Sequence, residues 1–317
     1  MATFLQQVIN GLSLGSVYAL IAVGYSLVYS ILLFSNFAHG GFLVVGGYVC
    51  YMLLKTAGMG IWVAGAGAIA AAGLIAIITE RLAYKPIRER TSTTLYLLIA
   101  SMGVSIVIEN LFVVTIGGRY RAIPPVFPEQ SIPLVGKITS AAGETVTQFF
   151  PAAAENMQPI LSVSAFDILS LAVAVVFLFA LQMFLMRTRW GLAIRAAACD
   201  LRTAGLMGVN VNRLIGIVFF VAGALAAIGG IFLATRYTLY PQLGSMITTK
   251  AFVAAVIGGL GSLPGAVIGG IILGLAEMLT AGFISSQMRD LVVFALLIIT
   301  LLIKPSGLLG RDVRDKV

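Results

Sequence analysis

The chain has 317 residues, 60% of them hydrophobic and only 10% charged, with a mean hydropathy of +1.04. Soluble domains carry about 25% charged residues, so this composition excludes a single water-soluble globule and makes lipid the solvent for most of the chain. The apolar runs lack the period-2 alternation of a membrane barrel, which leaves helices as the spanning elements.

Taken in chain order, apolar segments fall near 6–33, 36–54, 59–79, 94–116, 165–186, 213–235, 265–282 and 289–303. A bilayer core needs roughly 20 apolar residues per helix, so these predict about eight transmembrane helices in an all-α polytopic bundle forming one transmembrane domain over 1–317. The first run has no basic leader and is too long for a signal peptide, so it reads as a retained helix. Residues 117–162 form the longest connection and carry Pro124, Pro125, Pro128, Pro133, Pro151 and Pro159. Such density breaks helices and favours extended or turn structure. This segment caps the bundle, receives a soluble partner, or is a plain surface loop. A ninth apolar piece at 251–261 is too short to cross comfortably and reads as re-entrant or a half-helix.

The basic residues supply an orientation. Arg81, Lys85, Arg88 and Arg90 form one cluster; Arg187, Arg189, Arg195, Arg202 and Arg213 a second; Lys304, Arg311, Arg314 and Lys316 a third. These share one face of the membrane if 251–261 crosses or dips to restore parity. By the positive-inside rule that face is the cytoplasm, with the N-terminus external, the C-terminus internal and 117–162 outside. The net charge of +8 is then mostly a topology signal and gives no reason to invoke nucleic acid. Cys50 and Cys199 fall on opposite faces and cannot pair.

Several chemistries have no carrier in the sequence. There is one histidine, no HExxH, no Cys/His cluster, no GxSxG and no GxxxxGK[ST]. The chain alone therefore reads as a non-enzyme without metal or cofactor. Glu109 and Glu277 lie well inside predicted spans, where an acid is either functional or a neutral, hydrogen-bonded lock between helices. If Glu277 is such a neutral lock, its replacement by Gln is nearly silent. Gly261, Gly265 and Gly269 recur every four residues, Gly270 and Gly274 repeat the spacing, and Gly11 and Gly15 do the same in the first span. These stripes either let helix backbones approach closely or line a route or subunit interface.

The stretch "RAAACDLRTAGLMGVNVNRLI" at 195–215 is the most polar connection. Asp200 is placed to cap a helix over 201–207, Gly208 supplies its stop, and Asn212 is placed to cap the next membrane helix near Arg213. About 25 residues with ordered caps are more than a reconnecting loop needs. The segment 187–212 reads as a docking surface or as a basic helix lying on anionic headgroups.

This stretch resembles the cytoplasmic coupling loop of ABC importer permeases, specifically the branched-chain amino-acid family and its LivH-type subunits. "NGLSLGSVYALIAVGYSLVY" at 10–29, "NFAHGGF" at 36–42, "ERLAYKPIR" at 80–88, "KAFVAAVIGGLGSLPGAVIGGIILGLAE" at 250–277 and "KPSGLLGR" at 304–311 extend the resemblance over nearly the whole chain. The departure is Gly41, beside His39, where the family often carries an acid. The resemblance implies a transport subunit in a bacterial inner membrane, working with a second homologous permease, two ATP-binding subunits and a soluble external substrate-binding protein. It assigns ATPase contact to Asp200, Leu201, Leu206, Met207 and Gly208, with Arg195 and Arg202 as a polar rim. Urea or short-chain amide permeases share these motifs, and an ion-coupled carrier is the alternative outside the class.

Overall fold

A computed structural model describes residues 2–90, 93–123, 131–139, 145–149 and 157–310. Pro124, Pro125, Pro128, Pro151, Arg311, Arg314 and Lys316 lie outside the described residues. The membrane helices are α1 (Ala2–Leu32), α2 (His39–Lys55), α3 (Ile61–Thr79), α5 (Thr94–Thr115), α6 (Ala165–Arg187), α9 (Val211–Arg236), α10 (Leu243–Gly258), α11 (Leu263–Phe283) and α12 (Arg289–Ile303). Short α4 (Lys85–Arg90) continues α3 through one π-helical turn, and α7 (Arg189–Cys199) and α8 (Leu201–Leu206) lie in the connection before α9. Helix is what an apolar backbone does in lipid, because every N–H and C=O must find its partner within its own segment.

Seven of these helical stretches have the length and apolarity to cross a membrane. α12 reaches 18 residues together with the 3-10 turn Ser286–Met288 before it, whereas α2 and α10 fall short, since 17 and 16 residues at 1.5 Å each give only about 25 Å of the roughly 30 Å required. Both are completed by irregular chain. In the break at 33–38 before α2, Phe34, Asn36 and Ala38 are buried, and its polar groups are met by protein: Phe37 N–H donates to Ser101 Oγ (3.1 Å), Ala38 N–H to Asn36 Oδ1 (3.2 Å), and Tyr84 OH to the same Asn36 oxygen (2.9 Å). Non-helical backbone at membrane depth is tolerated when protein encloses it in this way.

The piece expected at 251–261 is part of the longer helix α10, which begins at Leu243 against Gly40 of α2. It stops at Gly259, whose φ of +108° suits glycine. Before it, Leu239 pairs with Arg121 through backbone hydrogen bonds of 2.8 and 2.9 Å. Arg236, at the end of α9, bonds Ser13 of α1, while Gly261, before α11, packs on Ser30 of α1. Ser13 and Ser30 are separated by about 25 Å along the helix, so the chain between α9 and α11 crosses the bundle instead of returning. Among the described residues nine passes result, and the parity needed to place Lys304 on the face of the first two basic clusters is met.

α1, α2, α9, α10 and α11 form the interior, whereas α3, α5, α6 and α12 present apolar side chains such as Val107, Val176 and Leu302 outward. The most extensive seam joins α1 to α11, antiparallel. A Cβ on Gly270 would lie 2.5 Å from Ala19 N, and one on Gly274 would overlap the backbone of Gly15. Gly11 and Gly15 meet Leu275 and Ile271 in return, while Gly265 and Gly269 of the same helix sit on Gly258 and Ala254 of α10. The two glycine stripes thus face two different neighbours. Gly261 departs from the expected pattern: it is not on the helix but in the preceding turn, with φ +82°. Gly274→Leu is expected to destabilise the protein by at least about 1–3 kcal/mol, since backbone cannot yield to an added side chain as a rotamer can. Gly103→Ala, on α5 with open space before it, is the matched control; the two are compared by thermal unfolding in detergent.

The all-α expectation needs one addition. In the long connection after α5, β1 (Ser131–Thr139), β2 (Thr145–Phe149) and β3 (Met157–Ser164) form an antiparallel sheet in the order β2-β1-β3. Pro133 and Pro159 lie where the β1–β3 register shifts, which is where proline, lacking a donor, is accommodated. Gln6 of α1 holds β3 with both ends of its amide, donating to Ser162 O (2.9 Å) and accepting from Ser162 N–H (3.0 Å).

Candidate functional site

The polar connection before α9 is built from caps. Thr188 Oγ1 accepts from Gly191 N–H (2.9 Å) and starts α7, while Gly191 sits against the carbonyls of Phe184 and Leu185 and folds α7 sharply back on α6. Arg195 of α7 turns its guanidinium to Met186 Sδ (2.9 Å). Asp200 Oδ1 accepts from the amides of Arg202 (2.8 Å) and Thr203 (3.1 Å), and Oδ2 from the Thr203 hydroxyl. Gly208, at φ +90°, ends the motif. Ile194, Ala197 and Ala204 are buried and seat both helices on the bundle, so the tip is fixed while its side chains stay free. Leu206 and Met207 are each 81% exposed, Asp200 and Arg202 are exposed, and Leu201 is half-buried.

Two details differ from the sequence reading. α7 is a separate 11-residue helix that the expected single 201–207 element leaves out. The cap of α9 is Asn210, which accepts from Arg213 N–H (3.1 Å); Asn212 is instead taken by Arg88 Nη2 (2.9 Å). Arg88 also pairs with the buried Glu80 at 3.2 Å, so α4 and the start of α9 are joined by one guanidinium.

The Thr203 hydroxyl and amide hold the Asp200 carboxyl below the usual carboxylate value. A depressed value means the cap contributes above the ordinary carboxylate value and is lost as pH falls through the lower, folded one. The protection factors of the Arg202 and Thr203 amides, relative to the unfolded chain at the same pH, are therefore expected to hold at pH 5 and to fall only below the ordinary range near 3.8. Asp200→Ala is expected to remove this protection at every pH.

Inside the bundle, Glu277 has a basic partner. It is 1% exposed; Oε1 accepts from Lys250 Nζ at 2.6 Å and Oε2 from Tyr18 OH at 3.0 Å. Lys250 also lies 3.1 Å from Asp290 Oδ1 at the head of α12. Four helices, α1, α10, α11 and α12, meet at this group. A second network, which sequence reasoning passed over, joins α9, α6 and α1: Arg236 Nη1 donates to Asp167 Oδ1 (3.0 Å), which also accepts from Ser13 Oγ (2.6 Å).

Glu109 is half-buried on α5 and accepts from Ser105 Oγ at 3.3 Å. His39 is fully buried; its Nε2 lies 3.0 Å from Ile21 O, and Tyr25 meets its ring edge-on. Gly41 faces the Ile108 side chain of α5. His39, Glu109 and Glu277 thus bond to different partners. Among the described residues no group of His, Cys, Asp and Glu is arranged to hold a metal.

Many apolar passes, glycine seams and a rigid polar knob at one face define a polytopic helical membrane protein. Residues 7–301 match the family described as branched-chain amino acid transport system/permease component. The high-affinity branched-chain amino acid transport permease protein LivH of Escherichia coli K12 is 41% identical, covering 99% of this chain and 98% of that protein. BraD of Pseudomonas aeruginosa, of the same description, is 36% identical over the same shares. A probable LivH of Methanocaldococcus jannaschii is 28% identical over 92% of this chain and 88% of its own length. The chain belongs to the branched-chain amino-acid transport permease family, whose members are membrane transport components and not enzymes.

Proposed function

We propose that this chain is a translocating permease subunit of an ATP-driven, binding-protein-dependent importer of leucine, isoleucine and valine. In this reading it sits in a bacterial inner membrane beside a second, homologous permease, with two ATP-binding subunits on the cytoplasmic face and a soluble binding protein outside. The basic face, carrying Arg81, Arg88, Arg202 and Arg213, is cytoplasmic by the positive-inside rule; the start of α1 and the β1–β3 sheet are external.

The observation that carries the reading is α8: a short helix, capped at both ends and seated by the buried Ala204, that holds Leu206 and Met207 out into solvent. Two large apolar side chains on a rigid stub suit a hydrophobic slot on another protein, and rigidity is what transmits a push from one subunit to the next. Asp200, Leu201, Gly208, Arg195 and Arg202 surround that tip. Names of the full-length relatives support the substrate class, and apolar substrates suit a route with few charges.

The test is uptake of labelled leucine and labelled urea by cells that lack this chain or regain it with its partners. Leucine uptake is expected to return with the chain and urea uptake to stay unchanged. Restored urea uptake, or leucine uptake without any ATP-binding subunit, overturns the proposal.

A further inference from the structure

The charged group at Lys250 opens on one side. Asp290 is 61% exposed although it begins a spanning helix, and Lys250, 8% exposed, lies directly beneath it. Tyr18, which bonds Glu277, stands near the middle of α1, so the group lies within the depth of the bundle. Asp290, in the first turn of α12, is where this group reaches the polar end of the bundle and borders water or another polar partner. Between α10 and α12 the structure has a cavity of about 140 Å³ lined by Met246, Thr249, Lys250, Asp290, Val293 and Phe294.

The charges there do not cancel. Glu277 is satisfied by Lys250 and Tyr18 and is closed off. Lys250 has three N–H donors, of which one goes to Glu277 while a second faces Asp290. One ammonium between two carboxylates leaves a net negative charge, and it rests on the accessible one, Asp290. Beside it, Met246, Val293 and Phe294 form an apolar wall. A carboxylate, an ammonium with a spare donor and an apolar wall together fit one kind of solute: a free amino acid with an aliphatic side chain.

We infer that the α10–α12 cavity is a transient recognition site for the substrate zwitterion, with Asp290 taking its α-ammonium, the third N–H of Lys250 its α-carboxylate, and Met246 and Phe294 its side chain. This rests on the proposed function and deepens it, because it places substrate recognition inside the permease and not only on an external protein.

The test uses the assembled transporter in proteoliposomes, with Cys199→Ser removing the exposed thiol and Thr249→Cys placing one in the cavity. The rate of modification by a charged methanethiosulfonate is followed. Millimolar leucine is expected to slow it at least five-fold. Neither 3-methylbutan-1-amine, which lacks the carboxylate, nor 4-methylpentanoate, which lacks the ammonium, is expected to do so. Asp290→Asn is expected to abolish the protection and to lower leucine uptake at least ten-fold with all subunits retained. Protection that survives Asp290→Asn, or is absent without it, overturns the inference. So does loss of the second permease on Asp290→Asn, which would make Asp290 an inter-subunit ion-pair residue. Leucine uptake by the unmodified complex is measured in parallel, so a wrong substrate class is separated from a wrong site.

Discussion

A Leu206→Asp chain inserts in the membrane and purifies as a folded bundle, but no longer retains its ATP-binding subunits, and leucine uptake falls at least ten-fold. The reason lies in how little of Leu206 the chain itself uses. At 81% exposure it contributes almost nothing to the packing of α8, which rests on Ala204, Ala197 and Ile194, so the substitution leaves the fold nearly unaffected. Its whole apolar area is available to a partner. Burying a leucine is worth about 1.5–3 kcal/mol, and a carboxylate forced into the same slot loses that and adds a desolvation cost. Met207→Asp should behave alike. Leu192→Asp, on α7 and 61% exposed but off the tip, separates a general charge effect from a contact at the tip. Co-purification and ATP-dependent uptake are the measurements. Retained subunits and uptake in Leu206→Asp would remove α8 from the coupling role.

That tip was legible in the sequence because caps are local chemistry. Asp200 and Gly208 each act within a few residues of themselves, and both stand where the spacing puts them. The α9 cap was harder: "NVN" offers two asparagines, and the choice of Asn210 is decided by Arg88, which claims Asn212 from 124 residues away. Lys250 was missed for a similar reason. Read along the chain it is one basic residue before an apolar piece, and only the α10–α11 turn at Gly259–Ser262 brings it onto Glu277. The sheet after α5 escaped because prolines normally argue against strands, and here two of them sit at register shifts. The "KPSGLLGR" segment had no evident purpose until its backbone was seen capping α10, with Leu308 and Leu309 N–H donating to Ile257 O and Gly258 O at 2.9 and 2.8 Å. Gly307 and Gly310 permit that approach. Periodicity and composition thus carry the number and order of helices, while pairings across tens of residues depend on the packed bundle.

Glu277→Gln is expected to be far from silent. The substitution keeps the shape and the bond from Tyr18 but removes the charge that neutralises Lys250 at 2.6 Å. An ammonium that is 8% exposed is then left with only the exposed Asp290. Breaking one partner of a buried ion pair costs about 3–5 kcal/mol, because the remaining charge stays desolvated. Most of that loss should be recovered in Glu277→Gln with Lys250→Met, where neither charge remains and an apolar side chain of similar length fills the space. The double-mutant cycle is therefore strongly non-additive in thermal unfolding of the purified protein in detergent. Transport should not follow stability. The double variant regains its melting temperature yet lacks the Lys250 donor toward a substrate carboxylate, so leucine uptake stays low. Equal stability of Glu277→Gln and the parent would show that Lys250 is neutral in the bundle; full uptake in the stable double variant would show that Lys250 serves the fold alone.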